Sequence, residues 1–160
     1  MKYNKSDVLS AVKQLRELKT AVIDSSSLIY MQRAGFLKDV TSLLEIYAPA
    51  PVMAETGYKN EGITVIHGLS DKAVTVDSLV VKCAFDMGTA VISDDRGVLK
   101  KAEALNITYF NSLMILCLLL FRGEINRGEY TVFFNSLKSF ARYSSFVYEY
   151  GEAVLREIDL

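Results

Sequence analysis

Histidine occurs once in this chain, at His67, and cysteine twice, at Cys83 and Cys117. That scarcity removes several chemistries at the outset. A zinc site wants Cys or His ligands in number, so one imidazole and two thiols set in apolar helical patterns argue against it. The same two thiols do not make a disulfide framework and are expected to be buried in a reducing compartment. Charge of either sign is not in excess: 18 Lys and Arg stand against 19 Asp and Glu, for a net charge of -1. A broad basic face of the kind that drives salt-dependent nucleic-acid binding is therefore missing, and a nucleic-acid partner needs a local attraction. Long apolar runs are also missing. The greasiest stretch, Leu113 to Phe121, is far shorter than the roughly 20 helical residues a bilayer core requires, so it predicts a buried core helix. Met1-Lys-Tyr-Asn-Lys-Ser-Asp has neither the apolar core nor the small-residue cleavage pattern of a secretory signal, and a soluble, cytoplasmic protein with no membrane partner is expected. Glycines at Gly57, Gly62 and Gly68 do not form a nucleotide-binding fingerprint.

What is present is apolar residue content, 51% over 160 residues, enough to bury a sizeable core in one domain. The pattern along the chain alternates helix and strand. Ser6 is a plausible N-cap for a first amphipathic helix carrying Val8, Val12, Leu15 and Leu18. Ala21 to Asp24 reads as a short buried strand, Leu28 to Ala34 as helix stopped by Gly35, and Phe36 to Glu45 as a further helix. Ile46 to Ala50 is a second strand ended by Pro49 and Pro51, with a helical turn from Val52 that carries Glu55 and stops at Gly57. Thr64 to Ile66 is an expected strand in a loop-rich stretch from Tyr58 to Ser70. From Asp77 the helical face of Leu79, Val80, Cys83, Ala84 and Met87 leads through Gly88 to the strand Ala90 to Ser93. A helix with Val98, Ala102 and Leu105 follows, capped at its end by Asn106, then the strand Ile107 to Phe110. Asn111 and Ser112 can cap the Leu113 to Phe121 helix. Phe133, Leu137 and Phe140 mark one later helix; Val147, Tyr150, Val154 and Ile158 mark another. Such alternation, with crossovers long enough to join parallel strands, predicts an α/β fold with a central parallel sheet.

In a parallel sheet the carboxyl ends of the strands share one edge, and the turns there gather acids from four separate stretches: Asp24, Glu55, Asp77, and Asp94 with Asp95. Like charges brought together repel, and a shared divalent cation relieves the conflict. Carboxylates and waters suit Mg2+ or Mn2+, ions that polarise a phosphodiester and generate a nucleophile from water, so no side-chain nucleophile is needed. Capping competes as an explanation, since Asp and Glu at helix starts often only meet the helix dipole, and it would account for Asp77 and Glu55. Asp24 resists it, because a buried strand end is a costly place for an unpaired charge. Asp86, half a turn from Asp77 on the same helix, faces elsewhere. Ser25, Ser26 and Ser27 lack a second His or a Gly-rich elbow, so capping or contact with a metal's water is expected of them rather than nucleophilic attack. His67 reads as a surface residue. Arg96, beside the acids, would pair with them or touch phosphate.

Four segments, Val22-Ile-Asp-Ser-Ser-Ser-Leu-Ile, Ala50-Pro-Val-Met-Ala-Glu, Asp77-Ser-Leu-Val-Val-Lys-Cys-Ala-Phe-Asp-Met-Gly and Ala90-Val-Ile-Ser-Asp-Asp-Arg-Gly, resemble in order and separation the four acidic stations of the PIN-domain nucleases. That family includes toxin ribonucleases of VapC type and RNA-processing enzymes. The resemblance covers roughly residues 21 to 110 and implies a three-layer α/β/α fold with the acidic site at the carboxyl edge of the strands. It implies one PIN-like domain over 1–160, with a helical extension over 1–20, the α/β core over 21–110 and C-terminal helices over 111–160. It further implies a Mg2+- or Mn2+-dependent endoribonuclease in which Asp24, Glu55, Asp77 and one of Asp94 or Asp95 hold the metal, with Ser26 supporting the first acid. The family's usual register of hydroxyl, variable residue, acid selects Asp95 after Ser93, while Asp94 stays open. An RNA substrate and an antitoxin-like inhibitor are the partners it implies; a homodimer is expected because symmetric pairs are the commonest assembly. The chain departs from the pattern in the helix ahead of the first strand and in Thr75-Val76, where many toxin members carry Gly. The alternative function is a non-catalytic PIN-like domain that binds RNA or protein. Two other carboxyl-edge acid folds fit less well: a response receiver wants paired acids at the first strand end, and a dehalogenase-like phosphatase wants an acid where Ser26 stands.

Overall fold

Ala21, Val22 and Ile23 are each fully buried, as are Val91 and Ile92, because both strands that carry them lie inside a sheet covered on its two faces. The computed structural model describes residues 4–58, 62–68 and 74–159. Its five strands are β1 (Thr20–Ile23), β2 (Glu45–Pro49), β3 (Ile63–Ile66), β4 (Ala90–Ile92) and β5 (Tyr109–Phe110), in the spatial order β3-β2-β1-β4-β5. All neighbours are parallel, with Ala21 beside both Ile46 and Ala90, Tyr47 beside Thr64 and Val91 beside Tyr109. The chain leaves β1 toward β2 and β3 on one side, then returns to place β4 on the other. β1 and β4 therefore flank the point where the strand order reverses, and the crevice outside their carboxyl ends is where open α/β sheets hold ligands.

Nine helices surround this sheet among the described residues: α1 (Lys5–Arg16), α2 (Ser25–Ala34), α3 (Leu37–Leu43), α4 (Ala50–Thr56), α5 (Val76–Met87), α6 (Arg96–Ala104), α7 (Ser112–Phe121), α8 (Arg127–Phe140) and α9 (Ser145–Ile158). The architecture is three-layer α/β/α. α5 packs on β1, β2 and β4 and against α6, while α7 packs against α1, α2, α3, α8 and α9. Leu113 to Leu119 are buried all round α7, as a helix without a polar face must be. No helix is long and apolar enough to cross a membrane among the described residues. Cys83 and Cys117 are both buried free thiols.

The helix ahead of β1 is built into the domain rather than appended. Val8, Val12 and Leu15 are buried against α7 and α9. Two guanidiniums clip it: Arg16 donates to the carbonyls of Glu157 (3.1 Å) and Ile158 (2.8 Å) at the end of α9, and Arg122 donates to those of Arg16 (2.8 Å) and Leu18 (2.7 Å). Cations at helix C-termini satisfy orphan carbonyls and meet the dipole.

Several boundaries differ from expectation for identifiable reasons. Asn4, not Ser6, caps α1, its Oδ1 accepting from the Ser6 backbone N–H at 3.0 Å. The helix expected to reach Glu45 stops at Leu43, because the Glu45 N–H donates to the Lys19 carbonyl (2.9 Å) and draws the chain into the ladder beside β1. Ala50 begins α4 instead of ending β2. Gly35, with φ at 98°, and Asn106, with φ at 55°, end α2 and α6 in the left-handed region as their residue types permit. The expected loop from Tyr58 to Ser70 falls partly outside the described residues.

Candidate metal centre

Asp24 occupies the N-cap position of α2, yet its carboxylate makes no capping hydrogen bond. Capping would have been the ordinary use of an Asp there. Its side chain is instead buried, 2% exposed, with Oδ2 held by two hydroxyls: Ser93 Oγ donates at 2.8 Å and Ser26 Oγ at 3.0 Å. Those hydroxyls are themselves oriented by backbone, since the N–H of Asp94 donates to Ser26 Oγ (3.0 Å) and the N–H of Asp95 to Ser93 Oγ (3.0 Å). Two parallel relays thus run from the loop after β4 to the acid after β1, and such chains of hydrogen bonds reinforce one another. Oδ1 keeps only a long 3.5 Å contact from Ser25 Oγ. One oxygen of Asp24 is locked and the other is open.

The remaining acids gather around it. Ser25 Oγ donates to Glu55 Oε2 at 2.9 Å, tying the end of α4 to the start of α2. Glu55 lies near the C-terminal end of α4, not in its first turn as expected from the sequence, so favourable interaction with a helix N-terminus does not explain it. Asp77 is in the first turn of α5, whose N-cap is Thr75 through a bond from Ser78 N–H. Its carboxyl is pushed above the ordinary range, first by burial and then by the charges of Asp24 and Asp95, with Glu55 adding and Lys101 opposing. The charges of Asp24, Glu55 and Asp95, from three other segments, therefore all reach the Asp77 carboxyl.

The adjacent pair Asp94 and Asp95, ambiguous in the sequence, is divided by the structure. Asp95 caps α6: its Oδ1 accepts from the N–H of Gly97 (2.7 Å) and of Val98 (3.3 Å), and Oδ2 has no hydrogen-bond partner among the described residues. Asp94 has both oxygens occupied. Oδ1 accepts from the Ser112 N–H (3.1 Å) and the Tyr143 hydroxyl; Oδ2 accepts from Ser27 Oγ (2.6 Å) and from the Ser112 hydroxyl. Burial pushes the Asp94 carboxyl up, and the donors from Ser112, Ser27 and Tyr143 pull it back. Asp94 is thus a tie that draws α2, α7 and the segment between α8 and α9 onto the end of β4.

The three serines do not cap α2 with their side chains. Each donates to a different acid: Ser25 to Glu55, Ser26 to Asp24 and Ser27 to Asp94. Arg96 is exposed at the start of α6 and makes no ion pair with the acids among the described residues. His67 is exposed beyond β3, and Asp86 is exposed on α5, outside the set of charges acting on Asp77. Ser93, Ser112 and Tyr143 are the participants that sequence reasoning did not assign. Ser93 had a signal in its place two residues before Asp95; Tyr143, 49 positions after Asp94, had none.

The donor set is all oxygen, which suits a hard cation and not zinc. Among the described residues no group of three or more His, Cys, Asp or Glu side chains is placed so that it could hold a metal ion. Mg2+ characteristically keeps several waters and takes one or two carboxylates, so open oxygens on Asp24 and Asp95 with Asp77 and Glu55 nearby fit that mode of binding. Compared with known proteins, the chain matches no family profile and no curated sequence.

Proposed function

We propose that this chain is a metal-dependent ribonuclease that hydrolyses RNA phosphodiester bonds at the rim formed by Asp24, Glu55, Asp77 and Asp95. The observation that carries the reading is Asp24: a buried carboxylate at a helix start that does not cap the helix, clamped through one oxygen and open at the other. The place of these acids, at the reversal point of the sheet, and the resemblance of their four segments to the PIN-domain nucleases both support it. When bound, Mg2+ or Mn2+ supplies Lewis acidity toward the phosphodiester and a nucleophile derived from water. The chain's own residues do the rest. Ser26 and Ser93 fix the orientation of Asp24, Ser25 holds Glu55 beside it, and the α6 N-terminus holds Asp95 while leaving Oδ2 unengaged. Asp77 contributes a carboxyl whose charge is disfavoured by its neighbours and is relieved by a cation. No serine attacks, because the three after Asp24 are engaged as donors to acids.

The experiment is cleavage of single-stranded RNA with Mn2+, with and without chelator, by wild type and Asp24→Asn. Removing a group that stabilises the transition state costs on the order of 100-fold or more. Cleavage unchanged in the variant would refute the assignment. A second reading, a non-catalytic RNA- or protein-binding domain, is favoured by the lack, among the described residues, of any group of three such side chains that could hold a metal ion. It predicts no binding of Mn2+ by calorimetry in a protein that remains folded.

A further inference from the structure

Away from the acidic rim the sheet ends at β5, and no strand among the described residues pairs with its outer side. Val91 N–H donates to the Thr108 carbonyl and Ser93 N–H to the Phe110 carbonyl, both at about 3 Å. In a parallel ladder this turns the N–H and C=O of Tyr109 away from β4. Neither has a hydrogen-bond partner among the described residues. An unpaired strand edge is a template for another extended chain unless something covers it.

Here the edge lies in a cleft of about 750 Å³, of a size that takes a ligand or a short peptide. One wall is α1 with Asp7, the other is α6 with Leu99 and Glu103, and Phe146 and Tyr150 come from α9. Among the described lining residues there is no Lys, Arg or His, and the charged ones, Asp7 and Glu103, are acidic. Tyr109 and Phe146 are each 37% exposed there, large aromatic surfaces left open to solvent. The fields of Glu103 and Asp7 both reach the Tyr109 hydroxyl, and that of Asp7 reaches Tyr150, raising both phenols beyond the effect of burial. Carboxylates and aromatic faces thus converge on the same volume.

We propose that this cleft docks an extended segment of a partner protein that carries arginine or lysine, adding a strand beside β5. The backbone of Tyr109 supplies the pairing. Asp7 and Glu103 supply charge complementarity, and Tyr109 and Phe146 supply aromatic surface for a cationic side chain. The carboxylates of Asp7 and Glu103 repel a phosphate backbone, which separates this cleft from the path of a nucleic-acid substrate. The inference does not depend on the nuclease reading, because none of the four rim acids lines the cleft.

The test uses the full chain, isotope-labelled for amide NMR, titrated with the capped peptide Val-Arg-Val-Arg-Val. Saturable shifts are expected at the amides of Thr108 to Asn111, with slowed hydrogen exchange at the Tyr109 N–H. Glu103→Gln and Asp7→Asn, both exposed positions whose folding is checked by circular dichroism, should each weaken binding roughly fivefold, the upper range for an exposed ion pair. Asp24→Asn should leave binding unchanged. The inference is overturned by an absence of shifts at millimolar peptide, by equal binding of a Val-Glu-Val-Glu-Val peptide, or by full affinity in the Asp7 and Glu103 variants. It is also overturned by loss of binding in Asp24→Asn, which would put the peptide at the acidic rim.

Discussion

Replacing Tyr143 by Phe removes one hydroxyl and leaves the ring, which makes it a direct measure of the Asp94 tie. Tyr143 donates to Asp94 Oδ1, whose other donor is the Ser112 N–H at 3.1 Å. Burial and the neighbouring Asp94 charge push the phenol far above its ordinary range, so it is a neutral donor at every working pH. The ring itself makes edge contacts with Tyr30 at 5.9 Å and Tyr148 at 5.5 Å, and Phe preserves both. With Asp94 ionised, the loss is therefore close to one hydrogen bond to a charged acceptor, about 1.5–3 kcal/mol. In a chain of this length about 2 kcal/mol lowers Tm by roughly 4–8 °C. The pH dependence has a definite sign. Asp94 has a folded pKa raised above its unfolded value, so its ionised form is the disfavoured one, and a donor to that form matters most when it is ionised. The deficit of Tyr143→Phe is expected in full above the folded pKa of Asp94 and should shrink as pH falls through it. Urea unfolding at a series of pH values, with the slope m checked for constancy, measures it. A variant within about 0.5 kcal/mol of wild type across the whole pH series, or a deficit that does not shrink toward acid, would refute the role given to this network.

Other perturbations follow from the same contacts. Asp77→Asn removes a carboxyl raised by burial and by Asp24 and Asp95, so without divalent metal it should raise Tm at neutral pH by roughly 1–2 °C, with the gain fading in acid as the wild-type carboxyl protonates. Differential scanning fluorimetry reads that shift, and a lower Tm in the variant would contradict it. Gly151→Ala places a Cβ 2.5 Å from Leu113 Cδ2 and 3.0 Å from Cγ, in a buried contact between α7 and α9. Overpacking of about 1–3 kcal/mol outweighs the roughly 1 kcal/mol that Ala gains over Gly in a helix, so urea unfolding should show a net loss. Arg122→Met keeps the stem and removes two charge-assisted bonds to the Arg16 and Leu18 carbonyls. It should cost about 2–3 kcal/mol and speed hydrogen exchange across the end of α1, measured by mass spectrometry.

The apolar runs of β1 and β4, each ending beside an acid, were readable because a doubly covered strand shows as unbroken hydrophobic sequence and its end as an abrupt polar residue. Helices with one apolar stripe were readable for the corresponding reason, and their ends at Gly35 and Asn106 because few residues tolerate the left-handed turn. Glu45 was misplaced because its side chain suits a helix while its backbone is claimed by Lys19 across the sheet, a long-range bond that no local pattern announces. The register of the resemblance favoured Asp95 over Asp94, but the chain's own local pattern left the two open for the same reason. Their neighbours in the chain are nearly identical, and what separates them is Ser27, Ser112 and Tyr143, donors from three distant segments that converge on one carboxylate alone. The cleft at β5 was equally silent, since its walls come from α1, α6 and α9 and meet only in the folded chain.

The central claim is that Asp24 and Asp95 share a divalent ion with Asp77 and Glu55 close by. Crystals of the protein soaked in millimolar Mn2+ and measured for anomalous scattering test it most directly. A peak between the open oxygens of Asp24 and Asp95, absent in crystals of Asp24→Asn, is the predicted result. A rim that shows no anomalous density at that concentration, or a peak against Asp94 instead, would contradict the account.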